Sequence, residues 1–341
     1  MPRLQNILFR LRLVPFIALL IAGCAGTPDG LPPPVADHHI HIRSESGARA
    51  LPRVQLARGE RPGDLSRGIQ DADILLRQMD RYRIDQAVIL SLGYMYAIPE
   101  IRFENEYHKV KRENDFVLEQ ARRFPERLVA FCGISPIADY ALEEVQRCAE
   151  SGATGIKLHL ANSDVDLHDA EELAALASVF AAAEQQSLAI VIHLRPRGSR
   201  YGVEEAEIFL EHVLPKAPTV PVQLAHLGGG GIVDTDTLRA IERLARDLPQ
   251  HDNLWFDISA AWARDRDYAG DTAGRTAHRR NRHNVAQAVS LIGAERILFA
   301  SDWDSLEVRE TLRPLRRGSG LSREQQQQIL NNRAPYLPEA R

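Results

Sequence analysis

Eight short runs rich in β-branched and apolar residues, separated by longer stretches of helical period, constrain this chain more than any other feature. The runs cover residues 35–42, 86–91, 128–134, 154–160, 188–194, 220–227, 253–259 and 296–301. Between them, residues 72–82, 105–124, 140–151, 169–186, 204–212, 237–247 and 282–292 repeat apolar side chains at intervals of three and four. Strands that alternate with helices pair in parallel through right-handed crossovers. Eight such units close an α/β barrel of the (β/α)8 TIM type, whose chemistry sits on the rim formed by the C-terminal strand ends. A doubly wound open sheet is the competing arrangement. It would carry a glycine-rich phosphate turn after its first strand, whereas here the first run enters histidines. Stretches 43–68 and 263–278 lack a clear period and read as long βα loops, the first able to cover the site. Near the C-terminus, Ser322 caps a closing helix over 323–332.

The first residues follow a different logic. Arg3, Arg10 and Arg12 precede an apolar run, 13–22, too short to span a bilayer as a stable helix, which is the layout of a secretory signal. The run ends in Leu20-Ile21-Ala22-Gly23-Cys24, which resembles a bacterial lipobox. Residues 1–23 are therefore expected to be removed, Cys24 to be lipidated, and 24–34, with Pro32, Pro33 and Pro34, to form a flexible tether ahead of a catalytic domain over 35–341. Ala25 is not Asp, so the expected location is the periplasmic face of the outer membrane, with the lipid anchor in the membrane. Loss of 1–23 removes three arginines and no acids, leaving 39 basic against 46 acidic side chains, a net of −7 that points away from nucleic acid. Cys132 and Cys148 read as two buried free thiols, although a strand and its following helix could bring them into a disulfide in an oxidising compartment.

Of twelve histidines, His39, His41, His159, His193 and His226 fall at the ends of four expected strands, which share one rim in a barrel. In Ala36-Asp37-His38-His39-Ile40-His41, strand alternation puts Asp37, His39 and His41 on one face, so two imidazoles can address one cation. Any of these histidines alone reads equally well as a rim residue donating to a backbone carbonyl. An Asp after an apolar strand, such as Asp302, is often a helix cap.

Taken in order, the motifs resemble the amidohydrolase-related family of the amidohydrolase superfamily, which includes the aminocarboxymuconate semialdehyde decarboxylase-like enzymes. Its first strand ends in D-x-H-x-H, matched by Asp37, His39 and His41. The likeness continues through Gly155-Ile156-Lys157-Leu158-His159, Val191-Ile192-His193, Leu224-Ala225-His226-Leu227-Gly228-Gly229 and Phe299-Ala300-Ser301-Asp302-Trp303. This resemblance implies that His39, His41, His193 and Asp302 ligate one divalent ion, zinc for preference, with manganese or iron as alternatives. Such an ion brings the pKa of its water to about 7. The resemblance also implies that His226 acts on that water or on the substrate carbonyl, and that Asp302 shuttles a proton.

Lys157 and His159 share a face of the fourth strand. As in binuclear relatives, Lys157 could be carboxylated to bridge a second metal; otherwise it could hold a substrate carboxylate or pair with an acid, with His159 touching metal or substrate. Arg195 and Arg197 suit an anionic substrate group, or simply a solvated loop. Trp303 could wall the pocket and Asp304 orient a ligand, and the glycines over 228–231 let backbone approach it. Asp37 is expected to accept an imidazole N–H and fix a ligating tautomer.

Three functions fit this reading. The leading one is hydrolysis of an amide, ester or lactone of a small anionic substrate, favoured by export. The second is non-oxidative decarboxylation, whose usual substrates are cytoplasmic catabolites. The third is an inactive envelope binding protein, which retention of the whole ligand set opposes. The expected partner is a small-molecule substrate, and a homo-oligomer is compatible with all three.

Overall fold

The structure is a computed structural model that describes residues 30–59, 68–197, 201–262 and 272–339. Cys24 and the apolar leader lie outside the described residues, as does most of the second long loop. The strands are β1 (Ala36–His41), β2 (Gln86–Leu90), β3 (Leu128–Gly133), β4 (Gly155–His159), β5 (Ala189–His193), β6 (Val222–Leu224), β7 (Leu254–Asp257) and β8 (Ile297–Leu298). They form one sheet in chain order, every neighbouring pair parallel. Backbone bonds then join the last strand to the first: His38 N to Phe299 O at 3.0 Å, Asp302 N to His39 O at 2.9 Å and His41 N to Trp303 O at 2.5 Å. The barrel is closed by these contacts.

Around it run α1 (Glu45–Ala57), α2 (Ala72–Tyr82), α3 (Glu106–Arg123), α4 (Ala141–Glu150), the single turn α5 (Leu160–Ser163), α6 (Ala170–Gln185), α7 (Val203–Ile208), α8 (Thr235–Asp247), α9 (Thr272–Ile292), α10 (Val308–Arg316) and α11 (Arg323–Asn331). Strand alternation divides the apolar residues between two cores. Ala87, Ile89, Ile156, Leu158, Ile190 and Ile192 pack outward beneath the helices. Val88, Leu90, Val129, Phe131, Ala189 and Val191 fill the barrel interior together with Leu337. Phe131 fits because β4 begins with Gly155, where a Cβ would lie 2.3 Å from the ring.

Three expectations change. The stretch 43–68, read as a loop, contains α1: Ser44 caps it, its Oγ accepting the Gly47 N–H at 3.1 Å, and Gly47, Ala50 and Val54 form its buried face. Gly47 and Pro52 masked that period, since both are poor helix formers. Cys132 and Cys148 are not free thiols but a disulfide joining β3 to α4, with Cα atoms 6.4 Å apart. Of the expected tether, residues 30–34 are docked rather than flexible: Leu31 is buried, and Arg323 and Arg316 donate to the carbonyls of Gly30 and Pro32 at 2.7 and 2.6 Å.

Candidate active site

At the C-terminal end of the barrel the strands deliver His39 and His41 from β1, Lys157 and His159 from β4, His193 from β5, His226 just beyond β6 and Asp302 just beyond β8. All seven line one cavity of about 950 Å³. Leu51 and Val54 of α1, with Leu92, Tyr94 and Ile232, give it an apolar wall. Backbone strain gathers on this rim, because His226, Leu227, Ala260 and Asp302 all take left-handed φ between 54° and 61°. That conformation costs a non-glycine residue roughly 1–2 kcal/mol, and strain of this kind collects at functional sites.

Hydrogen bonds fix how each ring is turned. His39 Nδ1 donates to Asp257 Oδ2 at 3.0 Å and His41 Nδ1 to the Leu90 carbonyl at 3.2 Å. Both protons are thereby held on Nδ1, and both Nε2 lone pairs are left facing each other at 3.2 Å. Asp302 Oδ1 lies 3.6 Å from each of these nitrogens. Two lone pairs and a carboxylate oxygen cannot satisfy one another, but a cation among them satisfies all three. A tetrahedral ion with bonds of roughly 2.0–2.2 Å needs donor separations of about 3.3–3.6 Å, so the observed triangle fits a divalent metal.

The electrostatics agree. Burial, reinforced by the Lys157 ammonium, holds the His39 imidazole down to about 4, and burial, with His39 and Lys157 beside it, holds His41 well below the usual imidazole range. Burial pushes the Asp302 carboxyl up against the pull of Lys157, a shift that a bound cation reverses.

His226 donates from Nδ1 to the carbonyl and hydroxyl oxygens of Ser259 at 3.1 and 2.8 Å, so its Nε2 turns an open lone pair to the cavity. Burial lowers its imidazole to about 3. His159 is the opposite tautomer. Its Nδ1 accepts the Asn162 N–H at 3.2 Å, which leaves the proton on Nε2, and its ring stacks on His193 at 4.0 Å. His193, expected as a fourth ligand, lies outside the His39–His41–Asp302 group, its ring 5.1 Å from His226 and its Nδ1 buried without a hydrogen-bond partner.

Several expected residues do other work. Asp37 does not accept an imidazole N–H; its Oδ1 takes the backbone N–H groups of Ser301 at 2.9 Å and His39 at 3.3 Å. A register shift between Asp37 and Ile40 breaks the simple alternation that would have set it beside His39. The tautomer-fixing acid is Asp257, which sequence reading missed. It accepts His39 Nδ1, Gln223 Nε2 at 2.7 Å, the backbone N–H groups of His226 and Ser259 at 3.0 Å each, and the Ser259 hydroxyl. Burial pushes this carboxyl up, yet His39 and its other donors hold it well below the usual carboxylate range. Its one sequence signal was an acid at the end of an expected strand.

Trp303 does not wall the cavity but packs, 3% exposed, in the main core. Asp304 is turned to Arg43 in a buried two-point ion pair at 2.5 and 2.7 Å. Arg195 and Arg197 do line the cavity. Arg195 Nη1 binds Asp234 at 2.8 Å and Thr237 at 3.0 Å, while Arg197 pairs with Glu100.

Comparison with known proteins places this geometry. The amidohydrolase family model matches residues 36–332. Gamma-resorcylate decarboxylase of Rhizobium sp. (strain MTP-10005) is 25% identical over 287 residues, covering 74% of this chain and 85% of that protein. Two solved structures share the fold at 15% identity. They are 5-carboxyvanillate decarboxylase from Sphingomonas paucimobilis (TM-score 0.57, 88% of this chain and 97% of that one) and an amidohydrolase from Burkholderia multivorans with bound zinc (TM-score 0.59, 86% and 95%).

Proposed function

The chain belongs to the amidohydrolase family, and we propose that it is a metal-dependent decarboxylase that removes carbon dioxide, without oxidation, from a small hydroxylated aromatic acid. The observation that carries this choice is that the curated relative matched over 85% of its length is a decarboxylase. Hydrolysis, the leading expectation from sequence, has support at the level of the family alone. The inactive-protein reading is opposed by the convergence of His39, His41 and Asp302.

Zinc held by His39, His41 and Asp302 would supply a Lewis acid for substrate oxygens. The protein does the rest. Cleavage leaves the bonding electrons on the ring carbon, which must gain a proton as carbon dioxide departs. Asp302, which lines the cavity beside His39 and His41, relays that proton to the carbon. His226 Nε2, the open lone pair, accepts the proton of the substrate hydroxyl. His159 Nε2–H donates to a substrate oxygen, and α1 keeps water from the reacting centre.

The test is incubation of the zinc-loaded protein with 2,6-dihydroxybenzoate in deuterated water. Carbon dioxide and a product bearing deuterium at the former carboxyl carbon are expected, with both lost in His226→Ala. Cleavage of lactones or esters with no carbon dioxide from any aromatic acid refutes the proposal in favour of hydrolysis.

We also propose export and lipidation at Cys24. The Cys132–Cys148 disulfide supports an oxidising compartment, and mass analysis of the envelope-extracted chain tests it: a mature chain lacking 1–23 and carrying acyl groups is expected.

A further inference from the structure

Lys157 is the strangest group in the cavity. Its side chain is wholly buried, it lines the cavity on the same face of β4 as His159, and its ammonium has no hydrogen-bond partner. Burying an unpaired ammonium costs several kcal/mol, so an unliganded fold gains nothing from it.

The neighbouring carboxylates of Asp257 and Asp302 attract the ammonium, but neither hydrogen-bonds it. Asp257 already accepts five donors, and Asp302 Oδ1 faces the Nε2 atoms of His39 and His41. The other cations on the cavity wall are engaged: Arg195 with Asp234, Arg197 with Glu100, and Arg58 with Asn162 and Glu100. Among the described residues, Lys157 is therefore the cavity-lining cation whose charged end no group hydrogen-bonds.

We propose that Lys157 is the specificity-determining cation of this site, receiving an anionic oxygen of the substrate, carboxylate or phenolate, and so selecting small aromatic anions over their neutral isosteres. The inference rests on the cavity being the substrate site and not on which bond is broken there. Within the decarboxylase reading the phenolate is the more useful partner. Charge leaves the carboxylate as the bond breaks and flows toward the ring and its oxygen, so a cation on that oxygen stabilises the transition state more than the ground state.

The experiment is calorimetric binding to the zinc-loaded protein of benzoate (carboxylate only), 4-nitrophenolate (phenolate only) and neutral benzamide, compared among the wild type, Lys157→Met and Lys157→Gln. The wild type is expected to prefer at least one anion over benzamide by roughly tenfold or more, the scale of a charge-assisted hydrogen bond. Which anion is preferred identifies the oxygen. In Lys157→Met the preference disappears while benzamide binding stays within about threefold, and the ligand-free variant melts at or above the wild-type temperature, since an uncompensated charge has been removed.

Retention of the preference in both variants overturns the proposal, as does its absence in the wild type. A lower melting temperature in both variants, or failure of both to fold, also overturns it by making the lysine structural. So does a carbamate signal on Lys157 after loading with 13C-bicarbonate, because the nitrogen would then carry a negative group. If the preference holds but no carbon dioxide is released from any aromatic acid, the proposed reaction fails and this assignment stands.

Discussion

Replacing Asp257 by Asn should weaken the site's hold on its metal without moving a ligand. At Oδ1 the carboxylate takes two backbone N–H groups, from His226 and Ser259, which cannot turn away. The amide oxygen of the new side chain therefore stays there, and its NH2 falls where Oδ2 had met His39 Nδ1 at 3.0 Å and Gln223 Nε2 at 2.7 Å. Donor now faces donor. The least costly escape is for His39 to move its proton to Nε2, the atom 3.2 Å from His41 Nε2. A protonated Nε2 is no ligand. Loss of an orienting partner of this kind weakens metal binding by roughly 10–100-fold, or about 1.4–2.8 kcal/mol. Competition against a chromophoric chelator measures it, with Asp37→Asn as the control: that carboxylate touches backbone N–H groups and no ring, so zinc affinity there should change by less than about threefold. An Asp257→Asn affinity within threefold of wild type, or an equal loss in the control, would refute the orienting role.

Other outcomes follow from the same contacts. Burial holds His38 down to about 4 in the fold, so between pH 6.5 and 4 the unfolded chain binds a proton that the fold refuses. At about 1.36 kcal/mol per pH unit this residue's contribution, present above pH 6.5, declines by roughly 3 kcal/mol on acidification to pH 4; His38→Gln should flatten the melting profile across that window. Arg43→Met leaves Asp304 buried without its cation and should cost about 3–5 kcal/mol, with Arg43→Met/Asp304→Leu recovering most of it in denaturant titrations. Cys132→Ser/Cys148→Ser opens a link between residues 16 apart and should lower stability by roughly 3 kcal/mol, read by urea unfolding. Zinc at a hundredfold excess over its Kd should raise stability by about 2.7 kcal/mol, an increment absent in a His39→Ala/His41→Ala chain.

What could be read from the sequence was whatever one period or one residue type expresses. Short apolar runs set between stretches of helical period identified the eight strands because barrel strands are buried on nearly every residue, and the histidines stood out because five gather at strand ends. Asp257 was invisible for the opposite reason: its meaning lies in five donors, three from residues 39, 223 and 226 and two from Ser259 beyond the strand end, that no local pattern unites. Asp37 was misassigned because a one-residue register shift re-aims a side chain and leaves no mark in composition. Trp303 and Asp304 were read as ligand contacts because they follow Asp302, yet their positions answer to the core and to Arg43. Lys157 was legible as a residue worth asking about. Its lack of a partner was legible only in three dimensions.

The site and the closure of the barrel are the same set of contacts. His39 and His41 belong to the first strand and Asp302 follows the last, so the three proposed ligands meet only where the sheet joins itself. The bonds that make this seam alternate with the ligands along the chain: His38 to Phe299, Asp302 to His39, His41 to Trp303, and Asp37 to the Ser301 N–H. From the opposite side, Tyr336 in the C-terminal segment bonds Gln223, which bonds Asp257, which holds His39. A barrel that slipped by one residue at the seam would separate the imidazoles from the carboxylate and break the relay together. An ion held by both edges therefore favours the closed register over every slipped alternative, and the geometry needed for chemistry is kept by the interactions that complete the fold.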